Sequence, residues 1–348
     1  MNTAPKRKTY CLGELFAGAG GMALGAHSAK YNGNGFTQVW VNDMDHDACK
    51  TLKNNLPLPK GGSYCCRVEE LDFDSMAPID GLAFGFPCND FSVVGDRHGI
   101  SGQFGGLYRW GVKALEAKRP SFFVAENVSG LGSSGKNNDF QIILSALGRV
   151  GYDLFTHKYK FEEYGVPQSR HRIIIVGFRK EYGIDYSPPE PTTKEKPKTS
   201  LEALLDIPPT ATNNELTNQS AKVIERLRYI KPGENVFTAN LPEHLRLNLK
   251  SGATISQIYK RLKPNEPSYT VTGSGGGGTH VYHWDEPRAL TNRERARLQS
   301  FPDSYVFSGG KESVRKQIGM AVPPHGAEII FKSVLKTLVD YDVPAPAC

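Results

Sequence analysis

The feature that most constrains the fold is an alternation of short apolar runs with helix-like segments over residues 10–182. Continuous apolar runs predict strands that are buried on both faces, and the helices between them predict crossover connections. This alternation predicts an α/β fold with a doubly wound parallel sheet. The predicted strands are 11–16, 38–42, 81–85, 122–126 and 173–178, and the predicted helices are 22–29, 46–54, 107–118 and 138–150.

A stretch rich in proline and charge, YSPPEPTTKEKPKTS at residues 186–200, ends this alternation and is typical of a domain boundary. The chain of 348 residues is long enough for two domains. Beyond the boundary only residues 291–299 and 326–339 have a clear helical pattern. We therefore expect a second, irregular domain.

Composition excludes several classes of protein. No run approaches the roughly 18 consecutive apolar residues of a membrane span, and the N-terminus lacks a signal-peptide pattern. The six cysteines show no disulfide-framework spacing, which predicts a reduced, cytoplasmic protein. A net charge of +6 indicates, mildly, a polyanionic partner.

The first predicted strand ends in a glycine loop, FAGAGG at residues 16–21. Glycines there let the backbone approach a ligand closely, although a plain tight turn is the alternative. Asp43 ends the next strand, where an acid can bind ribose hydroxyls. This pair favours a nucleoside-bearing cofactor, with NAD and S-adenosylmethionine both open at this point.

Two further strands are followed by reactive side chains. Cys88, in GFPCNDFS at residues 85–92, is placed as a nucleophile at the carboxyl end of a strand, where an inert buried thiol is the alternative. The five glycines of residues 93–106 are typical of a mobile lid. Glu126 ends the next strand, where burial can keep a carboxyl protonated, and a turn cap is its alternative role.

Arg170 and Arg172 alternate along the chain, so on an extended segment they point to one face. Such a pair suits an anionic group, either Glu126 or a phosphate. Two solvated arginines are the alternative.

The ordered motifs of this chain resemble those of the DNA (cytosine-5) methyltransferases of bacterial restriction–modification type. The seven motifs are FAGAGG (16–21), ND (42–43), GFPCNDFS (85–92), AENV (125–128), QSRHR (168–172), RALTNRERARLQSFPD (288–303) and QIGMAVPP (317–324). The resemblance implies a Rossmann-like, S-adenosylmethionine-dependent methyltransferase domain (1–185 with 304–348). It also implies a smaller, irregular target-recognition domain (186–287) and a hinge with an interdomain helix (288–303).

The resemblance also implies the roles of individual residues. Cys88 would add to carbon 6 of a flipped-out cytosine, while Glu126, Arg170 and Arg172 act on the ring. The implied S-adenosylmethionine site consists of Phe16, Ala17, Gly18, Gly20, Gly21, Asp43, Met44, Asp72, Phe73, Pro87, Leu107, Met320 and Ala321. Met320 departs from the family, which usually has Asn there, and Asn89 stands where Gln is common; we expect activity nonetheless.

The segment 186–287 is expected to read DNA, and its end, residues 268–278, resembles the recognition element of the family. The residues expected to contact DNA are Ser92, Gly95, Arg97, Ser101, Gln168, Gln257, Lys260, Arg261, Thr270, Val271, Gly275 and Gly276. Whether Lys260 and Arg261 read base edges or touch phosphates stays open. Residues 222–263 hold nine basic and three acidic side chains, which supports a DNA-facing role.

The implied partner is double-stranded DNA, with a cognate restriction endonuclease encoded nearby but not in direct contact. A monomer in the bacterial cytoplasm, associated with the nucleoid and without metal or membrane, is expected. The rivals are an NAD-dependent enzyme with a catalytic cysteine, the tRNA-methylating branch of the family, and a silent DNA-binding protein. QSRHR and the basic segment count against the first, the length of the recognition segment against the second, and Cys88 with Glu126 against the third.

Overall fold

The computed structural model describes residues 7–86, 106–128, 137–247, 256–273, 275 and 278–347. The chain folds into two compact units, each with its own interior. The first unit comprises Met1–Lys160, His171–Glu190 and Pro324–Cys348, and the second comprises Phe161–Arg170 and Pro191–Pro323.

The regular elements follow the alternation seen in the sequence. The strands are β1 (Thr9–Leu15), β2 (Lys30–Tyr31), β3 (Asn34–Asp43), β4 (Ser63–Cys65), β5 (Gly81–Gly85), β6 (Phe122–Val128), β7 (Tyr152–Lys160), β8 (Gln168–Ser169), β9 (His171–Arg179) and β10 (Ser268–Tyr269). The helices are α1 (Gly21–Ser28), α2 (His46–Asn55), α3 (Tyr108–Lys118), α4 (Asn137–Arg149), α5 (Ser200–Leu204), α6 (Ala221–Tyr229), α7 (Asn292–Leu298), α8 (Lys311–Met320) and α9 (Pro324–Asp340).

The first unit is built on an eight-stranded sheet in the order β2-β3-β1-β5-β6-β9-β7, with β4 beside β3. The predicted parallel arrangement is confirmed for β3, β1, β5 and β6. Two short strands that were not predicted also pair with β3, β4 in parallel and β2 antiparallel. The parallel prediction is wrong at the other edge, where β9 runs antiparallel to both β6 and β7. Strand β7 escaped prediction because its sequence, YDLFTHKYK, mixes apolar with polar and charged residues.

Aromatic and aliphatic side chains fill the core of the first unit. The rings of Phe84 and Phe123, from strands β5 and β6, lie 5.8 Å apart and are fully buried. Helix α1 packs closely on α9, since a Cβ added at Gly25 would lie 2.5 Å from the Cβ of Ala327. The first unit is thereby closed by residues from both ends of the sequence.

The second unit has little regular structure, and its only described strand pair is β8 with β10. Its core includes Leu227, Ile230 and Tyr282. Buried arginines hold its loops together: the Arg261 guanidinium donates to the carbonyls of Leu227, Ile230, His283 and Glu286. Irregular backbone leaves carbonyls outside any ladder, and a guanidinium with five N–H groups can satisfy several of them.

The boundaries of the second unit differ from those of the predicted recognition domain, residues 186–287. The unit also takes in residues 161–170 and 288–323, which the sequence placed in the catalytic domain and the hinge. The reason is local pairing: β8 is hydrogen-bonded to β10, and α7 packs on α5 and α8. That this unit recognises DNA stays a prediction.

The expectation of unpaired cysteines holds for Cys49, Cys65 and Cys66, which are free thiols. It is wrong for Cys11, which is disulfide-bonded. Within the described ranges, no helix is both long and apolar enough to span a bilayer. Nor do the described side chains include a group of three or more histidines, cysteines or acids suited to a metal ion.

Candidate active site

The glycine loop and Asp43 meet at the carboxyl edge of the sheet. The backbone N–H of Gly18 donates to Oδ2 of Asp43 at 2.7 Å, and that of Asp45 donates to Oδ1 at 2.9 Å. Gly18 and Gly20 have φ angles of 54° and 82°, a region that glycine enters without strain. The loop and the acid therefore form one preorganised corner, whose carboxylate oxygens are of the kind that accept hydrogen bonds from hydroxyl groups.

The other residues predicted to bind the cofactor differ in how exposed their side chains are. Met44, directly after Asp43, is 61% exposed and open to a ligand. Phe73 is buried in the core, so of the predicted pair only Asp72 presents an exposed side chain. Leu107 packs partly against the same core, at the start of α3. Met320 and Ala321 lie in the second unit, the former exposed and the latter buried.

Glu126 and Arg172 form an ion pair at the same edge of the sheet. The Nε of Arg172 lies 2.6 Å from Oε1 of Glu126, and both side chains are largely buried. Strand register explains the contact, because Arg172 pairs with Val128 and so lies diagonal to Glu126. The other carboxylate oxygen of Glu126 points over Gly85, where an added Cβ would be 3.2 Å away. The carboxyl is thus fixed in place at the end of β5.

Asn127 has a role that the sequence did not suggest. It is buried, and its Nδ2 donates to the carbonyl of Phe86 at 3.5 Å. That carbonyl immediately precedes the PCN tripeptide. Asn127 therefore ties the end of β6 to the backbone that leads to Cys88; its place in the AENV motif was the available signal.

Glu14 is a second residue that sequence reasoning missed. It is 1% exposed within the sheet, and Oε2 accepts a hydrogen bond from Nε2 of Gln38 at 3.0 Å. Burial raises the pKa of Glu14 to about 8, with the charge of Asp43 adding to the effect and the Gln38 hydrogen bond opposing it. A single acid within an otherwise apolar strand was the signal. Near neutral pH this carboxyl is mostly protonated.

Arg170 does not share the surroundings of Arg172, which corrects the expectation that both point to one face. Its guanidinium is buried in the second unit and donates to the carbonyls of Val271, at 3.2 Å, and Gly319, at 3.0 Å. Alternation applies within a continuous strand, whereas Arg170 lies between β8 and β9. Among the predicted catalytic residues that the structure describes, Glu126 and Arg172 are in contact.

Two residues predicted to contact DNA are instead part of the core of the second unit. Gln168 is fully buried; its Oε1 accepts from the backbone N–H of Val271, and its Nε2 donates to Leu298 and Gln299. Val271 is fully buried as well. These contacts position the residues of the predicted recognition element from the interior. Thr270, partly buried, donates its hydroxyl to the Ser169 carbonyl at 2.7 Å.

Arg261 is likewise structural, because its guanidinium is used by four backbone carbonyls. The question whether it reads a base or a phosphate therefore applies to Lys260 alone, whose ammonium lies 4.9 Å from the centre of the Tyr269 ring. Gln257 and Gly275 are partly buried. The predicted residues Pro87, Cys88, Ser92, Gly95, Arg97, Ser101 and Gly276 lie outside the described residues, as does most of the glycine-rich segment 93–106.

The described part of the first unit thus supplies two elements of chemistry at one edge of a sheet. The glycine loop with Asp43 can hold a nucleoside-bearing group, and Glu126 with Arg172 offers a carboxyl and a cation to a planar polar ring. Ligands of open α/β sheets bind at this edge.

Comparisons with known proteins agree with this geometry. The model of the C-5 cytosine-specific DNA methylase family matches residues 10–336. The Type II methyltransferase M.BbvI of Brevibacillus brevis is 54% identical over 347 residues, covering 96% of this chain and 92% of that protein. M.NgoFVII of Neisseria gonorrhoeae, also a Type II methyltransferase, is 41% identical over 340 residues, covering 94% and 86%.

Solved structures show the same fold. A DNA modification methyltransferase encoded within an Escherichia coli prophage superposes with a TM-score of 0.72 at 24% identity, covering 95% of this chain and 99% of that one. The family model matches nearly the whole length of the chain. The chain belongs to the C-5 cytosine-specific DNA methylase family, and it is a DNA (cytosine-5-)-methyltransferase of restriction–modification type.

Proposed function

We propose that this enzyme methylates carbon 5 of a cytosine flipped out of a specific duplex sequence, through a covalent adduct between Cys88 and carbon 6. The observation that carries the proposal is the Glu126–Arg172 pair, held at 2.6 Å at the end of the strand next to β5, which leads toward Cys88. The order of the motifs and the family match support the same reaction.

S-adenosylmethionine would supply a methyl group on a positively charged sulfur. The residues present fit such a ligand: Asp43 is fixed beside Gly18, and Met44 is exposed next to it. Asp43 retains acceptor capacity for ribose hydroxyls, because each oxygen of a carboxylate can accept two hydrogen bonds. Binding and orientation of the donor would fall to this corner of the sheet.

Cytosine carbon 5 is a poor nucleophile, so the chain must activate the ring. Addition of the Cys88 thiolate to carbon 6 would make the ring an enamine, with carbon 5 as its nucleophilic atom. Glu126 would hydrogen-bond to or protonate ring nitrogen 3 as charge develops, and Arg172 would orient Glu126. Once carbon 5 has taken the methyl group from the sulfonium, which leaves as a neutral thioether, loss of the carbon 5 proton to a solvent base would expel the Cys88 thiolate. Any proton placed on nitrogen 3 would return to Glu126, and the aromatic ring would be restored.

Duplex DNA requires base flipping, because the ring atoms cannot be reached inside the stack. The second unit would grip the DNA, with residues 268–278 as the recognition element and Lys260 as a contact. Its buried residues Gln168, Arg170, Val271 and Arg261 would act by holding that element in shape. Arg170 is therefore proposed as a positioning residue.

Further proposals follow from the Type II methyltransferase relatives. We expect a cognate endonuclease gene near the gene for this enzyme, and a monomer acting on chromosomal DNA in the cytoplasm. Sedimentation of the free enzyme tests the monomer, and cleavage of unmodified DNA by the product of the neighbouring gene tests the pairing.

The deciding experiment incubates the enzyme with methyl-labelled S-adenosylmethionine and either duplex DNA or tRNA, then maps the labelled base. We expect 5-methylcytosine at one DNA sequence and none in tRNA. If only tRNA is labelled, the enzyme belongs to the tRNA-methylating branch of the family and the proposal of a DNA substrate is wrong. Label in neither would end it.

The covalent step has its own test. Cys88→Ser should abolish methyl transfer and leave DNA binding largely intact, whereas Cys66→Ser, which changes a free thiol, should retain activity. Full activity of the Cys88 variant would remove that residue from the mechanism.

A further inference from the structure

Arg295 of α7 is buried, and the described part of the chain gives it no acidic partner. It is 1% exposed, and Nη1 has no hydrogen-bond partner among the residues that the structure describes. Its Nη2 lies 3.2 Å from Nδ1 of His280. By contrast Arg293, on the same helix, donates four hydrogen bonds to Thr212, Pro302 and Tyr305. A charge left unpaired in the interior is costly, so Arg295 needs an explanation.

His280 does not neutralise this charge. Burial lowers the pKa of His280 to about 4, and the charges of Arg295 and Arg315 contribute to the shift. At neutral pH the ring is therefore uncharged, and Nδ1 can accept a hydrogen bond from Arg295. The imidazole therefore orients the guanidinium of Arg295 but does not neutralise its positive charge.

A second cation lies close by on α8. The side chain of Arg315 is 11% exposed, and its Nε is buried with no partner among the described residues. A Cβ added at Gly275 would lie 2.2 Å from this Nε, so the guanidinium lies directly against the Gly275 backbone. Glu312 is 3.7 Å from Nη2 but is 91% exposed, and such a surface pair contributes little.

The other described titratable groups around Arg295 leave its charge uncompensated. Burial lowers the pKa of Arg295 to about 10, with repulsion from Arg315 second, so it still carries its proton at neutral pH. Burial raises the pKa values of Tyr269 and Tyr282, which are therefore neutral. The acid nearest in sequence, Glu294, accepts two hydrogen bonds from Arg288.

We propose that Arg315, with Arg295 behind it, forms an oxyanion site beside Gly275 that holds one phosphodiester group of bound DNA. Arg315 has the exposed edge and would contact the phosphate, while Arg295 would raise the local positive potential from the interior, where screening is weak. Gly275 belongs to the proposed recognition element, so this contact would fix that element on the DNA backbone. The proposal rests on the proposed function as a DNA methyltransferase.

The first measurement is the thermal stability of the full-length enzyme without DNA. Arg295→Met should raise Tm, because it removes an unpaired buried charge, whereas the control Arg293→Met should lower Tm by stranding carbonyls. The same Arg295→Met protein should bind duplex DNA about tenfold more weakly. If Arg295→Met lowers Tm as Arg293→Met does, Arg295 is a structural residue and the proposal fails.

The second measurement is the salt dependence of binding to a fluorescent duplex. Loss of one phosphate contact should reduce the slope of log Kd against log salt by about 0.9 in Arg315→Gln. The control Lys316→Gln removes an exposed charge from the neighbouring position of the same helix and should change the slope less. If the slope changes equally in both variants, the effect comes from the loss of one positive charge anywhere on this surface. That result would overturn the proposed site.

The third measurement compares the thermal stability of the enzyme in sulfate and in chloride, without DNA. It distinguishes a site for free anions from a site for a DNA phosphodiester. The site is supported if sulfate stabilises the wild type more than chloride does and Arg315→Gln loses this stabilisation. The same variant must also show the reduced slope of log Kd for DNA against log salt. Stabilisation by sulfate with no change in the DNA slope would make it a free-anion site and overturn the proposal. A wild type that binds DNA but methylates none would instead refute the proposed function.

Discussion

Arg172 of the first unit and Arg261 of the second unit make different kinds of contact. In the first unit, Arg172 pairs with the Glu126 carboxylate at the edge of a regular sheet. In the second unit, Arg261 and Arg293 donate to backbone carbonyls of irregular loops. A sheet satisfies its own backbone and leaves an arginine available for chemistry, whereas loops without a ladder use arginines to complete their hydrogen bonding.

The difference also changes how the charge of the chain is interpreted. Of the basic residues in 222–263, Arg226 and Arg261 are buried, and both guanidinium groups donate to backbone carbonyls. Among the described residues of this segment, the exposed basic ones are Lys222, Arg228, Lys231, Arg246 and Lys263. The exposed positive charge of the described part of this segment is therefore smaller than its composition suggests.

The largest effect that would test the comparison is expected at Glu126. Glu126→Gln should lower the single-turnover rate of methyl transfer by about 10²–10⁴, because an amide can still contact Arg172 but cannot exchange a proton. Glu181→Gln is the control, since Glu181 pairs with Arg179 at 2.8 Å on the exposed surface. A wild-type rate for Glu126→Gln would show that the ion pair is structural.

Arg261 and its neighbour Lys260 sharpen the comparison within the second unit. Arg261→Met should lower the free energy of unfolding by about 3 kcal/mol, because it strands several buried carbonyls. Lys260→Met should leave stability nearly unchanged and reduce the salt dependence of DNA binding. Urea unfolding and DNA titrations measure the two effects; a stable Arg261→Met protein with altered DNA binding would reverse the assignment.

Arg170 and Arg172 provide the same contrast across the two units. Arg170→Lys should cost about 2 kcal/mol of stability, since a lysine cannot span the carbonyls of Val271 and Gly319. Arg172→Lys should mainly lower kcat, by about tenfold, through loss of the oriented contact to Glu126. Equal losses of kcat in both folded variants would restore the predicted shared catalytic role.

The smallest effect concerns Glu14, an uncompensated buried acid in the first unit. Its pKa in the folded protein, about 8, lies above the unfolded value of 4.5, so the folded state binds more protons between these values. The stability present below pH 4.5 is therefore lost as pH rises through 8, and about 1.4 kcal/mol of that loss falls between pH 7 and pH 9.

Urea unfolding across this pH range measures the loss. Glu14→Gln should abolish it, because an amide does not titrate, and the control Glu116→Gln, which changes an exposed acid, should retain it. A pH profile that Glu14→Gln fails to flatten would show that the buried acid stays ionised.

Much of the first unit could be predicted from the sequence. The continuous apolar runs predicted β5 with its observed bounds, and β1, β3, β6 and β9 within a few residues at most ends. The position of Asp43 beside the glycine loop followed from the rule that ligands meet the carboxyl ends of parallel strands. The antiparallel direction of β9 could not be inferred, because its continuous apolar run has the pattern that is typical of a parallel central strand.

The second unit was predictable only as irregular. The burial of Arg261, Gln168 and Val271 depends on contacts between loops far apart in sequence, which no period reveals. An arginine inside a polar stretch has the composition of a DNA contact whether its guanidinium faces phosphates or carbonyls. Only the structure distinguishes the two.

The packing of α1 against α9 has a consequence for how the enzyme is made. Gly25 lies against Ala327, so roughly 300 residues must be synthesised before α1 gains its partner. At a translation rate of about 5–20 residues per second, the apolar face of α1 waits on the order of 15–60 s. The whole second unit emerges from the ribosome during that interval. The packing of α1 on α9 can therefore be completed only after the second unit has been synthesised.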